Sequence, residues 1–276
     1  MKFCFLTENK TSHEGLLAEH GLSIYIEADG SNILFDSGAS DIFAYNAERL
    51  DIDLSEIDFA VVSHGHFDHT GGFPLFCRIN KTAPIYIHKN AFRRSHGSSD
   101  GKIEEEMCGI RWTDQKKEAM EDRMHLVDGP HMITENIAVT GTIAVREGFE
   151  PSEKFYYYNL DKKPGEDDMS HEQALVIRDE DGLHVFSGCC HRGVLAALDA
   201  AKEIFPGERI CTFVAGMHLY ETDRRGRALV IDQIVEEDIG RVFPVHCTGM
   251  EATCELKSLL RDYCVLAGVG DSFDGC

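Results

Sequence analysis

A histidine-rich segment that directly follows an apolar run constrains this chain more than any other feature of its sequence. Residues 59–62 read Phe-Ala-Val-Val and predict a buried strand, and the chain continues as Ser-His-Gly-His-Phe-Asp-His. Three imidazoles and one carboxylate so close together are costly to bury in a packing role, whereas zinc, iron and manganese ions bind this mixture of side chains. We therefore predict a metal site in which His64 and His66 hold one cation, while Asp68 and His69 reach a second.

Further ligands are expected at the ends of other predicted strands, because one loop supplies at most four ligands. The stretch Ser187-Gly188-Cys189-Cys190-His191 lies between a predicted strand and a predicted helix. His191 is the predicted ligand there, and Cys189 is a further metal candidate. His246 ends another predicted strand and completes the set, while His171 is either a reserve ligand or an exposed histidine at a strand end.

Two more histidines are candidates for contacts with a substrate. His218 follows a predicted strand, and Gly216 just before it permits close approach of the backbone to a ligand. His218 is therefore expected to bind substrate or to donate a proton. His20, which precedes the predicted strand at 22–27, is a candidate for the lining of the same pocket.

Alternation of strand-like and helical patterns through the second half of the chain predicts an α/β protein. Helical patterns lie at 41–49, 193–204, 228–235 and 251–261. Two hairpins, which turn at Asp29-Gly30 and Asp181-Gly182, add antiparallel pairing. We therefore expect mixed α+β sheets packed as a sandwich rather than one doubly wound parallel sheet.

The stretch around 90–168 differs from the rest of the chain. It is polar, and it contains the only tryptophan, Trp112, and an aromatic cluster at 155–158. We expect one domain, residues 1–276, with an insertion or cap around 90–168 that shapes substrate entry. An irregular excursion on the surface is the alternative.

The charge balance narrows the expected partners, because 48 acidic residues oppose 27 basic ones and leave a formal net charge of −21. This charge opposes binding to nucleic acid and to anionic membranes, although a local basic pocket can still hold a small anion. The expected partner is a small-molecule substrate, anionic ones included, and homo-oligomer formation stays open.

No apolar run approaches the roughly 18 residues of a membrane span, and a cytoplasmic protein is expected. The ten cysteines include no CxxC pair and are expected to be thiols.

The motifs also resemble those of a known family. The segment His64-Gly65-His66-Phe67-Asp68-His69 resembles the HxHxDH signature of the metallo-β-lactamase superfamily, and Asp36-Ser37-Gly38 resembles its first motif. Ser187-Gly188-Cys189 falls where many members have Ser-Gly-Asp with a metal-bridging carboxylate, and His246 falls on the last histidine motif. This resemblance implies a four-layer αββα sandwich with the metals at one edge.

Further segments resemble one subgroup of that superfamily, named after the dihydropterin-ribofuranosylaminobenzene-phosphate synthase of methanopterin biosynthesis. These segments are 19–23, 172–175, 188–191, 216–219 and 246–249. In this subgroup a Gly-Cys-x-His pattern replaces the bridging aspartate, which implies a metal site that relies on His191. The Gly-His-Thr-Pro-Gly-His motif of glyoxalase-type members is absent, and Ser170-His171-Glu172-Gln173 stands in its place, so thioester hydrolysis ranks low.

Together these features predict a metal-dependent hydrolase with two divalent metal ions, zinc first, although iron or manganese also fits the ligands. His64, His66 and His191 are expected to hold one metal, and Asp68, His69 and His246 the other. Asp68 is also expected to orient the attacking hydroxide. A small phosphoester or cyclic phosphodiester is the expected substrate, because paired cations can clamp the attacking and leaving oxygens.

Two alternatives stay open at this point. The subgroup name implies a pterin-linked transferase or synthase that forms a carbon–nitrogen bond. The other alternative is a metal-binding redox sensor that uses Cys189, Cys190 and Cys247.

Overall fold

The computed structural model describes residues 1–99, 101–158 and 161–275. The strands in chain order are β1 (Lys2–Thr7), β2 (Ser23–Ala28), β3 (Ser31–Phe35), β4 (Phe59–Val61), β5 (Ile85–His88), β6 (Ser95–Ser99), β7 (Lys102–Met107), β8 (Met124–Val127), β9 (His131–Met132), β10 (Ile137–Val139), β11 (Phe155–Tyr158), β12 (Pro164–Asp167), β13 (Leu175–Asp179), β14 (Gly182–Ser187), β15 (Ile210–Gly216), β16 (Ile239–Val245) and β17 (Ser272–Asp274). The helices are α1 (Ile42–Arg49), α2 (Phe67–Thr70), α3 (Phe73–Ile79), α4 (Asp114–Glu118), α5 (Val194–Ile204), α6 (Arg224–Glu236) and α7 (Met250–Leu260).

Helices form at all four positions where the sequence shows helical periodicity. In α5 the apolar side chains of Leu195, Leu198 and Ala201 recur every three residues and are buried. Helix α6 begins four residues before the predicted start at 228, because the Asp223 side chain accepts a hydrogen bond from the Gly226 amide and caps the helix.

The strands form two mixed central sheets. One has seven strands in the order β17-β1-β2-β3-β4-β5-β8, and the other has six in the order β16-β15-β14-β13-β10-β9. Both predicted hairpins are confirmed, as β2 pairs with β3 and β13 with β14 in antiparallel register. The first hairpin turns where Asp29 and Gly30 both have positive φ, which matches the right-handed twist of the strands.

The two central sheets pack face to face through an aromatic core. The ring of Phe3 on β1 lies 5.5 Å from that of Phe186 and 5.3 Å from that of Phe243 on the other sheet, both in edge-on geometry. Helices α1 and α3 cover the outer face of the seven-stranded sheet, where Phe43 and Phe76 are buried. Helices α5, α6 and α7 cover the outer face of the six-stranded sheet. This order of layers confirms the expected αββα sandwich.

A third sheet, with the order β12-β11-β6-β7, lies outside this sandwich. Its strands come from the two flanks of the stretch around 90–168, whereas β8, β9 and β10 between them join the central sheets. We call the four-stranded sheet with the loop 146–153 the cap. The division into one domain with an insertion stays a prediction.

Several chemically active segments meet at one edge of the sandwich, because they follow the carboxyl ends of parallel strands. Asp36 follows β3, and residues 63–69 follow β4, its parallel neighbour. Residues 188–191 follow β14, residues 217–218 follow β15 and His246 follows β16, which are also parallel neighbours.

The cysteines are mostly thiols, as expected. Free thiols are Cys4, Cys77, Cys108, Cys189, Cys190, Cys247, Cys254 and Cys264. Cys211 is disulfide-bonded, which corrects the expectation for that residue, and Cys276 lies outside the described residues. Across the described ranges, no helix combines the length and apolarity that a bilayer crossing requires.

Candidate metal centre

The histidine-rich segment 63–69 folds as an extended stretch followed by the single helical turn α2. His66 has extended φ and ψ at the start of α2, so Asp68 and His69 lie on the turn while His64 and His66 lie before it. The ring centroid of His64 is 4.7 Å from that of His66 and 4.2 Å from that of His69. All four side chains are buried. The predicted loop therefore brings its imidazole rings close together.

Asp36 contacts both ends of segment 63–69. Its carboxylate accepts hydrogen bonds from the Ser63 amide at 2.7 Å and the Ser63 hydroxyl at 2.6 Å, and it lies 2.7 Å from His69 Nδ1. Because Nδ1 of His69 is engaged with Asp36, Nε2 is the nitrogen left to face the centre. Burial opposes protonation of His69, but Asp68 and Asp36 outweigh it and raise the pKa of His69 to about 9.

Four imidazole nitrogens at the centre are buried and have no hydrogen-bond partner among the described residues. One is Nε2 of His246, beside Asp68, and the other three are Nε2 of His64, His66 and His191. The ring of His191 lies 5.0 Å from that of His64 and 4.9 Å from that of His66, so the three form one cluster. Buried polar atoms without partners are rare because they are costly, and a cation bound between these nitrogens would satisfy all three.

The protonation states of this cluster suit a cation. Burial and the neighbouring imidazoles, chiefly that of His69, lower the pKa of His64 well below its ordinary value. Burial also lowers the pKa of His66 to about 3. Both rings are therefore neutral at physiological pH, and the neutral imidazole is the form that binds a metal.

A second group of ligand atoms surrounds the carboxylate of Asp68. Its Oδ2 lies 3.1 Å from His246 Nε2, 3.3 Å from His20 Nε2 and 3.8 Å from His69 Nε2. Burial opposes ionisation of Asp68, but the surrounding histidines, His69 first, hold its pKa well below the ordinary value. His20, predicted to line the pocket, contacts this second group from the solvent side, since its side chain is 60% exposed.

Cys189 lies between the two groups. Its Sγ is within 4.8 Å of a ligand nitrogen of His64 and of His191, and also within 4.8 Å of those of His69 and His246. It lies 3.2 Å from His69 Nε2. Burial and the nearby Cys247 raise the pKa of the Cys189 thiol, so it keeps its proton at neutral pH until a cation displaces it. The structure thus places the further metal candidate between the two groups of ligand atoms.

His171, the reserve ligand, lies behind the loop rather than among the converging ligand atoms. Its Nδ1 accepts a hydrogen bond from the Gly65 amide at 3.1 Å, and its Nε2 lies 3.6 Å from Asp167 Oδ2. Only Nδ1 makes a hydrogen bond within the described ranges, and His171 is buried but is not in any group of converging ligand atoms. Its hydrogen bond to Gly65 supports the loop that carries His64 and His66.

Several residues that the sequence does not single out as ligands support the site; Glu8 and Asn9 lie outside the quoted motifs, whereas Glu172 lies in segment 172–175 without a predicted role. Glu8 accepts a hydrogen bond from the His246 amide at 2.8 Å, and Asn9 Oδ1 lies 2.9 Å from His246 Nδ1. Glu172 accepts hydrogen bonds at 2.7 Å from the amides of both His191 and Arg192. Such contacts fix the backbone around the candidate ligands, and only the folded chain reveals them.

Four residues at the same edge have a strained backbone. Asp36, Cys190, His218 and His246 have φ between +49° and +55°, in the left-handed region that residues with a β-carbon rarely adopt. Each such residue costs about 1–3 kcal/mol and persists only where its surroundings enforce it, which is common at functional sites.

His218 links the centre to the cap. Its Nε2 lies 2.7 Å from Glu153 Oε2, and its ring centroid is 4.5 Å from that of His191. Burial opposes protonation of His218, but Cys247 and Glu153 outweigh it and raise its pKa to about 10. Nδ1 of His218 is buried and makes no hydrogen bond within the described ranges.

A second cap residue covers the histidines directly. The ring of Phe155 on β11 lies 4.6 Å from that of His66 and 5.0 Å from that of His191. Glu153 and Phe155 were both missed by the sequence analysis. The aromatic cluster at 155–158 was the available signal, but it did not indicate which ring turns inward.

Comparisons with known proteins agree on one family. A family model described as the metallo-beta-lactamase superfamily matches residues 17–131. The 7,8-dihydropterin-6-methyl-4-(beta-D-ribofuranosyl)-aminobenzene-5'-phosphate synthase of Methanocaldococcus jannaschii is 30% identical over 247 residues, which cover 85% of this chain and 83% of that protein.

Solved structures give the same result. Tm1679, described as a metal-dependent hydrolase of the beta-lactamase superfamily, superposes with a TM-score of 0.84 and 27% identity, and the match covers 99% of this chain and 98% of that one. The zinc-bound PqqB of Methylobacterium extorquens superposes with a TM-score of 0.57 at 13% identity, over 99% of this chain and all of that one, and supports the fold alone.

Proposed function

Because the chain belongs to the metallo-beta-lactamase superfamily, within the subgroup of the dihydropterin-ribofuranosylaminobenzene-phosphate synthase, we propose that it is a metal-dependent hydrolase with a dinuclear centre. The observation that carries this proposal is the cluster of buried Nε2 atoms of His64, His66 and His191, which lack partners in the described part of the chain. A second group around Asp68 lies close by, and Cys189 lies between the two.

In this proposal His64, His66 and His191 would hold the first cation; the ligand atoms of His64 and His191 lie within 4.8 Å of Cys189 Sγ, and the ring of His66 packs beside both histidines. Asp68, His69 and His246 would hold the second, with Cys189 between the two groups and His20 at the solvent edge. The donor set favours zinc, because imidazole and thiolate suit zinc better than manganese, while iron also accepts both. When bound, the two cations supply the Lewis acidity that polarises a substrate oxygen and acidifies a water molecule.

The residues of the chain have separate roles around that pair. Asp68 is ionised, so it accepts a hydrogen bond from the attacking water and orients it. His218 carries a proton that it can donate to the leaving group, and Glu153 fixes its ring through Nε2. The ring of Phe155 excludes bulk water from the histidine cluster.

We propose a small phosphoester or cyclic phosphodiester as the substrate class. Two adjacent cations suit this class because they can clamp the attacking and leaving oxygens of an in-line displacement. They also provide positive charge for an anionic substrate on a chain whose formal net charge is −21.

Metal analysis and one matched pair of variants test this proposal. Protein purified without chelator or added metal is expected to contain about two zinc ions per chain, and to hydrolyse bis(p-nitrophenyl) phosphate or a 2',3'-cyclic nucleotide. His64→Ala is expected to lower kcat/KM by about 10³-fold and to lose metal, since His64 is a central ligand. His125→Ala, which removes an exposed histidine of β8, is the control. Full metal content and full activity in His64→Ala would contradict the proposal.

A second candidate is a pterin-linked transferase or synthase, favoured by the 30% identity to the methanogen synthase. Incubation with a pterin diphosphate and an aminobenzene ribotide distinguishes the two. Formation of a carbon–nitrogen bonded product, with no turnover of the phosphodiester panel, would replace the hydrolase proposal.

A third candidate is a redox sensor, favoured by the proximity of two thiols. Cys189 Sγ and Cys247 Sγ lie within 4.8 Å of each other at the centre. Cys190 instead donates to Ser187 and packs in the core, so it does not belong to this pair. Loss of metal on mild oxidation, in a protein that turns over none of the substrates, would favour the sensor.

A further inference from the structure

A cavity of about 460 Å³ opens beside the candidate metal centre. It lies between the cap loop 146–153, the first turn of α5 and one face of α6, and both His191 and His218 are on its wall. Its volume is within the range of small-molecule sites, about 300–1,000 Å³. A molecule in this cavity would therefore lie next to the groups that carry out the proposed reaction.

The walls of this cavity are mainly apolar. They include Phe149 and Pro151 from the cap loop, Met217 after β15, and Leu229 and Val230 from α6. Leu229 is 60% exposed and lines the cavity, so its apolar surface is available to a ligand. An apolar ligand group would bury this surface at the mouth of the cavity and gain free energy by doing so.

The cationic side chains on the wall are already engaged. Protonated His218 pairs with Glu153 through Nε2. Arg146 donates to both carboxylate oxygens of Asp199, at 2.5 and 2.6 Å. Arg192 donates to the main-chain carbonyls of Ile143 and Asp168. Each arginine is thus held in place by protein acceptors and is poorly placed to bind a ligand anion.

Acidic side chains add negative charge to the same wall. Glu147 and Glu150 are exposed on the cap loop that lines the cavity. A negatively charged ligand group would meet repulsion here, and the engaged arginines would offset little of it. The cavity therefore favours a group without negative charge, in contrast to the cation pair beside it.

We propose that this cavity is a subsite for an uncharged, mainly apolar part of the substrate, of the size of one or two aromatic rings. The substrate is then an aryl-bearing phosphoester, with its phosphoryl group at the metal centre and its ring between Phe149 and Leu229. This inference rests on the proposed function, because the phosphoryl group defines the position of the ring.

Calorimetric titration of the zinc-loaded protein with three phosphonates tests the subsite. Phenylphosphonate is expected to bind about tenfold more tightly than methylphosphonate, because its ring buries apolar area in the cavity. 4-Carboxyphenylphosphonate is expected to lose this advantage, because it carries a negative charge into an acidic cavity. Equal binding of phenylphosphonate and methylphosphonate would overturn the proposal.

A matched pair of variants localises the effect. Leu229→Glu places a carboxylate at the mouth of the cavity, and it is expected to abolish the preference for phenylphosphonate over methylphosphonate. Leu259→Glu is the control, because Leu259 on α7 is similarly exposed, at 54%, and does not line this cavity. A phenyl preference that survives Leu229→Glu would place the ring elsewhere and overturn the proposal.

A neutral probe separates failure of the subsite from failure of the proposed function. Benzyl alcohol is expected to show saturation-transfer NMR signals with the wild-type protein and with Leu259→Glu, but not with Leu229→Glu. This result without any binding of phosphonates would support the subsite and contradict the phosphoester proposal. Binding of phosphonates without binding of benzyl alcohol would contradict the subsite and leave the phosphoester proposal supported.

Discussion

The sandwich and the cap both reach the candidate site, but they are built very differently. Strand β14 of the sandwich is buried along its whole length, whereas β7 of the cap has no buried residue. The sandwich supplies all the candidate metal ligands, and the cap supplies Glu153 and Phe155. Ligands on buried strand ends are held in fixed geometry, as metal binding requires, while groups on an exposed sheet can vary without loss of the core.

The largest effect is expected for a substitution of Asp36 in the sandwich. It tests whether the sandwich, rather than the cap, fixes the metal ligands. Asp36→Asn removes the carboxylate that contacts His69 and one acceptor for Ser63, so metal affinity is expected to fall by about 10- to 100-fold. The free energy of unfolding is expected to fall by about 3 kcal/mol, because buried partners are left unsatisfied. Zinc competition titration and thermal unfolding measure both. Asp274→Asn, at an exposed position of β17, is the control, and unchanged zinc affinity in Asp36→Asn would show that the support under the loop is dispensable.

On the cap side, Glu153→Gln is expected to change turnover without changing metal content. The substitution weakens the contact that orients His218 and stabilises its proton, so kcat is expected to fall by about 10- to 100-fold. Steady-state kinetics as a function of pH, together with elemental analysis, are the measurements. Glu150→Gln, in the same loop, controls for the loss of charge alone. If zinc is lost along with activity, the cap is part of the metal centre and the contrast between the two regions fails.

Low pH is expected to destabilise the cap by protonating Asp167. The carboxylate of Asp167 pairs with Arg93 at 3.0 Å. Burial opposes ionisation of Asp167, but His171 and Ser95 help to outweigh it, so its pKa lies well below the ordinary value. A carboxyl with a depressed pKa in the folded state stabilises the fold fully above its unfolded pKa of about 4, and this stabilisation is lost as the pH falls further.

Asp167→Asn is therefore expected to cost about 2 kcal/mol at pH 7 and progressively less below about pH 4. Thermal unfolding of wild-type and variant proteins, both freed of metal with a chelator, from about pH 7 down to about pH 2 follows the onset of this loss. A cost that does not depend on pH would show that the charge of Asp167 is not what stabilises the cap.

The smallest effect is expected at Cys190, the neighbour of the metal candidate Cys189. Cys190 packs in the core beneath α5, so Cys190→Ala is expected to cost about 1 kcal/mol of unfolding free energy and to leave zinc affinity unchanged. Cys189→Ala is the matched comparison, and it is expected to weaken zinc binding instead. Equal loss of zinc in both variants would contradict the prediction that Cys190 only packs in the core while Cys189 contributes to zinc binding.

Local patterns in the sequence were enough to predict the sandwich. The hairpins, the helical stretches and the apolar strand before His64 all depend on the spacing of residues close together in the chain, and the structure confirms them. Patterns of this kind persist because a helix or strand must bury one face whatever surrounds it. The extent of the cap could not be read in the same way, since its exposed strands carry little apolar periodicity.

The sequence by itself therefore determined the chemistry at this edge: the histidine-rich loop after β4, and histidines at the ends of β14 and β16. Only the tertiary structure decided which groups meet. It placed Cys189 between two sets of ligands, His20 against Asp68, and Glu8 beneath His246, 238 positions away in the chain. The physical reason is that local patterns set which face of a strand is buried, whereas the register and packing between distant strands set which side chains touch.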